Sequence, residues 1–318
     1  MAGLILRRLF ALIPILLIVS FGVFMLSELV PGDPAVTLAG GDRATPERIA
    51  EIREQLGLEQ PLLQRYGSWL ADAARLDFGR SIYGGESGPS VFEEIWSRLP
   101  VTLSIVAAGV TFSALIGIPL GVFAGLRPGS MLDRACSTSI MIGLAIPNFL
   151  LALLLVWAFA IRFRWFPSIG FTPLTESPLD WLKSILLPGL ALGMAAAASV
   201  GRQVRAALVE VVYSNYVRTA WAKGCSPMRA IGKHALKNAA IPAVTVLGLQ
   251  VSALIGGAVL VEQIFSLPGI GTYLLRALTN SDVPIIQGVV VFFVLTHVAV
   301  NLIVDISYGL LNPKVRVS

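Results

Sequence analysis

Apolar residues along the 318-residue chain fall into uninterrupted blocks. Each is about 20 residues long, enough at about 1.5 Å of rise per residue to cross a hydrocarbon core of about 30 Å. The pattern predicts six membrane-spanning helices, near Leu9–Val30, Val101–Leu126, Ala135–Ile161, Ile185–Val200, Ala240–Val261 and Pro284–Leu311. Pro188 and Gly189 blur the start of the fourth, and Pro147-Asn148 predicts a kink in the third, where freed backbone groups need new partners. Arg7 and Arg8 ahead of the first block resemble a signal-peptide start. That block is too long for a leader and runs into Glu28-Leu29-Val30-Pro31-Gly32-Asp33-Pro34 without a small-residue cleavage pattern, so an uncleaved helix is expected.

Between the first two spans the pattern changes to short amphipathic stretches. Thr45-Pro46-Glu47-Arg48 reads as a helix start, with a capping hydroxyl and proline at the first helical position; Ile49, Ile52 and Leu56 share a face, and Gly57 is a stop. A second helix is expected from Pro61, burying Leu62, Leu63, Tyr66 and Leu70. The layout is a first helix over 1–30, a partly helical segment over 31–100, and a helical core over 101–318 with a large polar loop at 201–239. The segment 31–100 is either a cap packed on the bundle or a landing surface for a partner.

Composition agrees with a polytopic membrane protein: 55% of residues are hydrophobic, 14% charged, and the mean hydropathy is +0.78. Charge sets the sidedness. Arg7 and Arg8, Arg127 and Arg134, the run Arg202, Arg205, Arg218, Lys223, Arg229, Lys233 and Lys237, and finally Lys314 and Arg316 all fall on one face if the helices alternate. That face is expected to be the cytoplasm, with both termini on it. Segment 31–100 on the other face holds 11 acids against 7 Arg and no Lys. The net charge of +5 thus reflects orientation in a bilayer rather than nucleic-acid binding. Cys136 and Cys225 both fall on the cytoplasmic side, so no disulfide supports the external segment.

The loop from Tyr216 to Pro242 is punctuated. Ser214 or Asn215 caps a short helix through Lys223, Gly224 ends it, and Ser226-Pro227 opens a second. On that second helix Met228, Ile231, Ala235 and Ala239 share a face, opposite Arg229, Lys233 and Lys237; by composition alone an amphipathic helix on anionic lipid accounts for it. Deep in the membrane, His297, Asn301 and Asp305 recur every four residues and share one helical face. They suit an interhelical hydrogen-bond stripe, with Asp305 meeting Arg202 or Arg205, or a pathway lining, or a proton relay. Gln250 and Ser252 are further pathway candidates. Gly189-x-x-x-Gly193 with Ala195 to Ala198, and Gly248 with Gly256-Gly257, allow close helix contact, within the chain or with another subunit.

Tyr216, Arg218, Thr219, Ala220, Ala222, Lys223, Gly224, Ser226, His234, Ala235, Leu236, Asn238 and Pro242 resemble the cytoplasmic loop of ABC importer permeases, in the version found in the peptide and nickel branch. The leading glutamate of the general consensus is absent, and the spacing from Gly224 to Pro242 is longer; both departures are shared with that branch. The first helix with its Pro31-Gly32-Asp33-Pro34 ending, Leu56-Gly57-Leu58, Gln60-Pro61-Leu62 and Asp77-Phe78-Gly79-Arg80-Ser81 are similar to the same branch. So are Glu262, Phe265, Pro268-Gly269-Ile270-Gly271, Asp282, Pro284 and Gln287-Gly288. Four segments in the family's order are specific where a lone Pro-Gly-Ile-Gly is not.

The resemblance implies an all-α, six-helix permease of the type I ABC importer kind in a bacterial inner membrane. Arg218, Thr219, Ala220, Ala222, Lys223, Gly224 and Ser226 would form the element that docks on an ATPase, and Glu262, Pro268, Gly269 and Gly271 an external re-entrant loop. It further implies two ABC ATPase subunits that bind ATP and Mg, a second homologous permease and an external solute-binding protein, with di- or oligopeptides as solute and nickel as the branch's other cargo. The chain carries no GxxxxGK[ST] phosphate loop. HExxH, GxSxG and CxxC are also absent, and His234 and His297 fall far apart, so neither a catalytic nor a metal site is expected. The competing function is a secondary transporter driven by ion flux along the His297, Asn301 and Asp305 stripe.

Overall fold

The computed structural model describes residues 13–25, 34–39, 44–55, 57–83, 88–223 and 236–311. Among them the secondary structure is helical apart from one isolated bridge between Arg80 and Ser90. Twelve helices in chain order follow the sequence pattern: α1 Ile13–Met25, α2 Pro34–Ala39, α3 Pro46–Gln55, α4 Leu62–Ala73, α5 Val91–Leu126 and α6 Met131–Ala145. After them come α7 Asn148–Leu155, α8 Pro178–Val212, α9 Asn215–Ala222, α10 Leu236–Ile264, α11 Ile270–Asn280 and α12 Val283–Leu311. By length and apolarity α5, α8, Val246–Ile264 of α10 and Val283–Val304 of α12 can each cross a membrane, and the pair α6 and α7 makes a fifth if counted as one. Helix α1 falls within the first expected span but is shorter than a crossing among the described residues.

Two compact units divide the chain. Unit 1 comprises Met1–Pro100 and Thr272–Val298, and unit 2 comprises Val101–Gly271 and Ala299–Ser318. In unit 1, Thr45 Oγ1 accepts the Arg48 N–H at 3.4 Å and α3 runs to Gln55; Gly57 then takes φ +62° and returns the Leu58 N–H to the Arg53 carbonyl at 3.0 Å. Glycine suits this left-handed turn, having no Cβ to clash. Helix α4 docks on α1 through Tyr66. Its ring lies edge-on to Phe21 and Phe24, and its hydroxyl sits 2.8 Å from Ser20 Oγ and donates to the Leu17 carbonyl at 3.2 Å. Leu62, Tyr66 and Leu70 line the covered side, whereas Leu63, expected inside, is 73% exposed. It stands one residue off the four-residue stripe that faces α1.

Unit 2 is organised around α8, the most enclosed of the spans. Ser177 caps it, accepting the Asp180 N–H at 3.3 Å, and Pro178 occupies the first turn. The helix therefore begins well before Ile185 and passes through Pro188 without breaking. Helix α5 lies against α8 at backbone distance. A Cβ added to Gly117 would stand 2.3 Å from the Ala197 carbonyl oxygen, one on Gly121 2.5 Å from that of Gly201, and one on Gly193 2.4 Å from that of Gly109. The Gly189 and Gly193 pair is thus consumed by packing inside the chain, as is Gly248, which meets Val304; Gly256 faces open space. The third span departs furthest from expectation. Ile146 and Pro147 are extended, so the Pro147-Asn148 step, read as a kink, is a break at which α6 and α7 diverge by 97°. Beyond α7 the chain continues as a π-helical stretch, Val156–Arg162.

Candidate functional site

Helix α8 ends at Val212, and Tyr213-Ser214 turn the chain into α9. The short helix is anchored by Val217, which is fully buried, while Thr219, Ala222 and Lys223 are exposed. Thr219 Oγ1 donates back to the Asn215 carbonyl at 2.8 Å, and the Lys223 N–H closes the last turn on the Thr219 carbonyl at 3.1 Å. Arg218 and Ala220 belong to this helix. Gly224, Ser226 and the second helix expected from Ser226-Pro227 lie outside the described residues.

The end of α8 that leads into α9 is tied to α6 by an ion pair between a partly exposed Arg205 and a buried Asp133. Arg205 Nε and Nη2 donate to Asp133 Oδ1 and Oδ2 at 2.7 and 2.9 Å, a bidentate fork. Asp133 also accepts the Gly129 N–H at 2.8 Å and the Ser137 hydroxyl at 3.1 Å, while its own N–H goes to the Ser130 cap at 3.2 Å. The carboxylate is 4% exposed and fully engaged. Arg205 is thus held by Asp133 where Asp305 was expected; the side chain of Asp305 lies outside the described residues. Asp133 was missed from sequence, although Ser130-x-x-Asp133 carries a capping pattern. Packing of Leu208 and Val212 on Val122 and Leu126 adds an apolar tie between the ends of α8 and α5. The end of α8 beside α9 is thus tied to both α6 and α5.

At the far end of α10 a second polar knot closes the turn into α11. The chain turns at Ser266, which takes φ +50°, and the Leu267 N–H caps the Glu262 carbonyl at 2.9 Å. Glu262 itself is fully buried. The Thr102 hydroxyl donates to its Oε1 at 2.6 Å and accepts the Ile270 N–H at 3.0 Å, linking α10, α5 and the first turn of α11. A Cβ on Gly269 would fall 2.2 Å from the Glu262 carboxyl carbon, and one on Gly271 2.5 Å from Val259 Cα. The loop glycines are present so that backbone can wrap the carboxylate. Pro268, beside them, is exposed. Thr102 is the member of this knot that sequence reasoning did not find.

The remaining polar residues are not brought together in the same way. Gln250 is half-buried on α10, and the Ser252 hydroxyl is buried with no hydrogen-bond partner among the described residues. His297, Asn301 and Asp305 lie along α12 at four-residue spacing, His297 exposed and Asn301 half-buried.

Several helices long and apolar enough to cross a membrane, with a short helix joined to the most enclosed of them, define a multi-pass integral membrane protein. Residues 117–317 match the family described as binding-protein-dependent transport system inner membrane components, and residues 1–106 match that family's N-terminal region. A Brucella abortus (strain 2308) protein named as permease of a peptide transport system is 40% identical over 316 residues, covering 99% of each chain. The di/tripeptide transport system permease protein of Pseudomonas aeruginosa is 38% identical, again over 99% of each chain. The fold is similar to that of an inward-facing methionine ABC transporter structure, with a TM-score of 0.57 at 19% identity over 69% of this chain and 96% of that one. The chain belongs to the family of binding-protein-dependent transport system inner membrane components.

Proposed function

We propose that this chain is the transmembrane subunit of an ATP-driven importer of di- or oligopeptides in a bacterial inner membrane, with both termini in the cytoplasm. The observation that carries this reading is the likeness, over nearly the full length of both partners, to permeases named for peptide transport. A second homologous permease completes the pathway, an external binding protein delivers the solute, and two ATPase subunits that bind ATP and Mg supply the energy.

In this reading Arg218, Thr219, Ala220, Ala222, Lys223, Gly224 and Ser226 seat the ATPase, and the Asp133–Arg205 fork makes α9 a lever on α8 and α6. Closure of the ATPases would then tilt the attached helices as rigid bodies, a route to alternating access. Glu262, Pro268, Gly269 and Gly271 form the external re-entrant loop; Gln250, Ser252, His297, Asn301 and Asp305 are the candidates for lining the pathway. The test is uptake of a labelled dipeptide by the reconstituted four-subunit complex together with its external binding protein. Uptake should need ATP, and Gly224→Asp should abolish it with membrane insertion intact. Uptake that survives on an ion gradient alone would sink the proposal.

A further inference from the structure

By length and apolarity α6 and α7, with its π-helical extension, can together make one crossing, and that crossing ends at Arg162. The chain turns sharply there. The Phe163 N–H goes to the Ala158 carbonyl at 2.9 Å, Arg164 takes φ +55°, and the Trp165 N–H returns to the Phe159 carbonyl at 2.9 Å. That φ is uncommon for a residue other than glycine, and it folds the indole back onto the helix end. Trp165 stacks on Phe163 with 5.1 Å between ring centroids and leans on Phe159 at 5.7 Å.

These rings are not a core. Trp165 is 63% exposed and Phe163 53%. They continue an exposed apolar stripe in which Leu150, Leu154, Trp157 and Ile161 recur at helical spacing. Arg162 and Arg164 are exposed as well, and neither makes an ion pair among the described residues. No Asp or Glu lies between residues 134 and 175, so the stretch has no acid of its own to neutralise them. Exposed rings at the end of an apolar crossing, next to two unneutralised guanidiniums, are complementary to the boundary between acyl chains and anionic headgroups. The acidic face of a docking protein would satisfy the arginines but leave the stripe below them uncovered.

We propose that the turn over residues 159–165 is an interfacial anchor that gathers anionic phospholipid. Phe163 and Trp165 sit at the level where acyl chains meet headgroups, and Arg162 and Arg164 draw the negatively charged headgroups to that spot. An anchor of this kind holds the end of α7 at one depth in the bilayer. Which leaflet it occupies rests on the orientation proposed above; the anchoring itself does not.

The test reads Trp165 by difference, as the tryptophan fluorescence of the full chain in nanodiscs minus that of its Trp165→Phe variant. The nanodiscs are phosphatidylcholine with a minority of brominated phosphatidylglycerol or, at the same dose, of brominated phosphatidylcholine. The brominated phosphatidylglycerol should quench the Trp165 signal about five-fold more strongly per added lipid, the enrichment expected from one arginine beside an anionic headgroup. Arg162→Gln and Arg164→Gln together change two exposed, unpaired side chains, so folding is left intact; the two brominated lipids should then quench alike. Equal quenching by both lipids in the unaltered chain removes the headgroup selection and overturns the proposal. Quenching by acrylamide with none by either lipid puts the turn in water and overturns it too. The same measurement with the partner subunits assembled completes the test: lipid quenching that disappears there assigns the turn to a subunit contact, and quenching that persists supports the anchor. No solute or ATP enters these readings, so their failure is separate from failure of the importer reading.

Discussion

Gly117, Gly121 and Gly193 of unit 2 press on main-chain carbonyls, whereas Gly288 of unit 1 presses on the side chains of Val91 and Phe78. The two contacts look alike in sequence and differ in what can yield. A backbone carbonyl inside two long helices cannot retreat without moving both helices, so the α5–α8 seam behaves as a single rigid block. A valine methyl can turn, although the Cβ of Phe78 is fixed to its own backbone. The other contacts of unit 1 are of the same adjustable kind: the Tyr66 hydroxyl on Ser20, the Arg98 guanidinium on Tyr273, the Ser81 hydroxyl on Asp282. Backbone contacts thus dominate the α5–α8 seam of unit 2, and side-chain contacts dominate unit 1.

The sharpest way to break this contrast is to add the same methyl on both sides of it. Gly117→Ala should destabilise unit 2 by about 3 kcal/mol or more, the upper part of the range for overpacking, and should show as loss of folded protein in detergent. Gly288→Ala should cost less, about 2 kcal/mol, because the Val91 methyl at 2.7 Å can turn away while the Phe78 Cβ at 2.8 Å cannot. Equal losses in a thermal-shift comparison would remove the distinction.

Asp133→Asn comes next. It keeps the shape of the α6 first turn but leaves Arg205 without its fork, and about 2 kcal/mol of stability should go, since hydrogen bonds to charged groups contribute roughly 1.5–3 kcal/mol. Uptake should fall further than stability does, because the tie between α8 and α6 is what makes α9 a lever. Proportionate losses would make the pair a mere brace.

The smallest expected effect is spectroscopic. The Tyr273 phenol, raised by burial to about 12, should ionise after the ordinary tyrosines. The folded state holds this proton more tightly than the unfolded one, so stability is unaffected below pH of about 10 and declines between about 10 and 12. Tyr273→Phe should delete the late step in the phenolate absorbance titration and leave the earlier ones.

Local chemistry was the legible part of the sequence. Thr45-Pro46 and Gly57 bound α3 where they should, and Asn215 opens α9, because caps and left-handed turns are decided by residues within a few positions of one another. Ser177-Pro178 carries the same start signal, and the fourth span begins there rather than near Ile185 because the helix accommodates Pro188 in its interior. Pro147 announced a disturbance but not a 97° turn, since the direction of α7 is set by α8 and α10. Partner choice was the illegible part. Nothing near Arg205 in sequence distinguishes Asp133, 72 residues away, from Asp305, and nothing near Glu262 points to Thr102, 160 residues away. Close helix contact was foreseen at Gly189 and Gly193, but that the facing helix would be α5 of the same chain is a fact of three-dimensional packing.

The corner at Ile146-Pro147 constrains where lipid can lie. Helix α6 has 15 residues, about 22 Å at 1.5 Å each, too little to traverse the bilayer alone, so the corner falls at depth. The last carbonyls of one half-helix and the first amides of the other have no acyl-chain partner there, and each would forfeit several kcal/mol if left dry against hydrocarbon. The bend must therefore be wetted or shielded by protein in every conformation the molecule adopts, so acyl chains are kept from this corner.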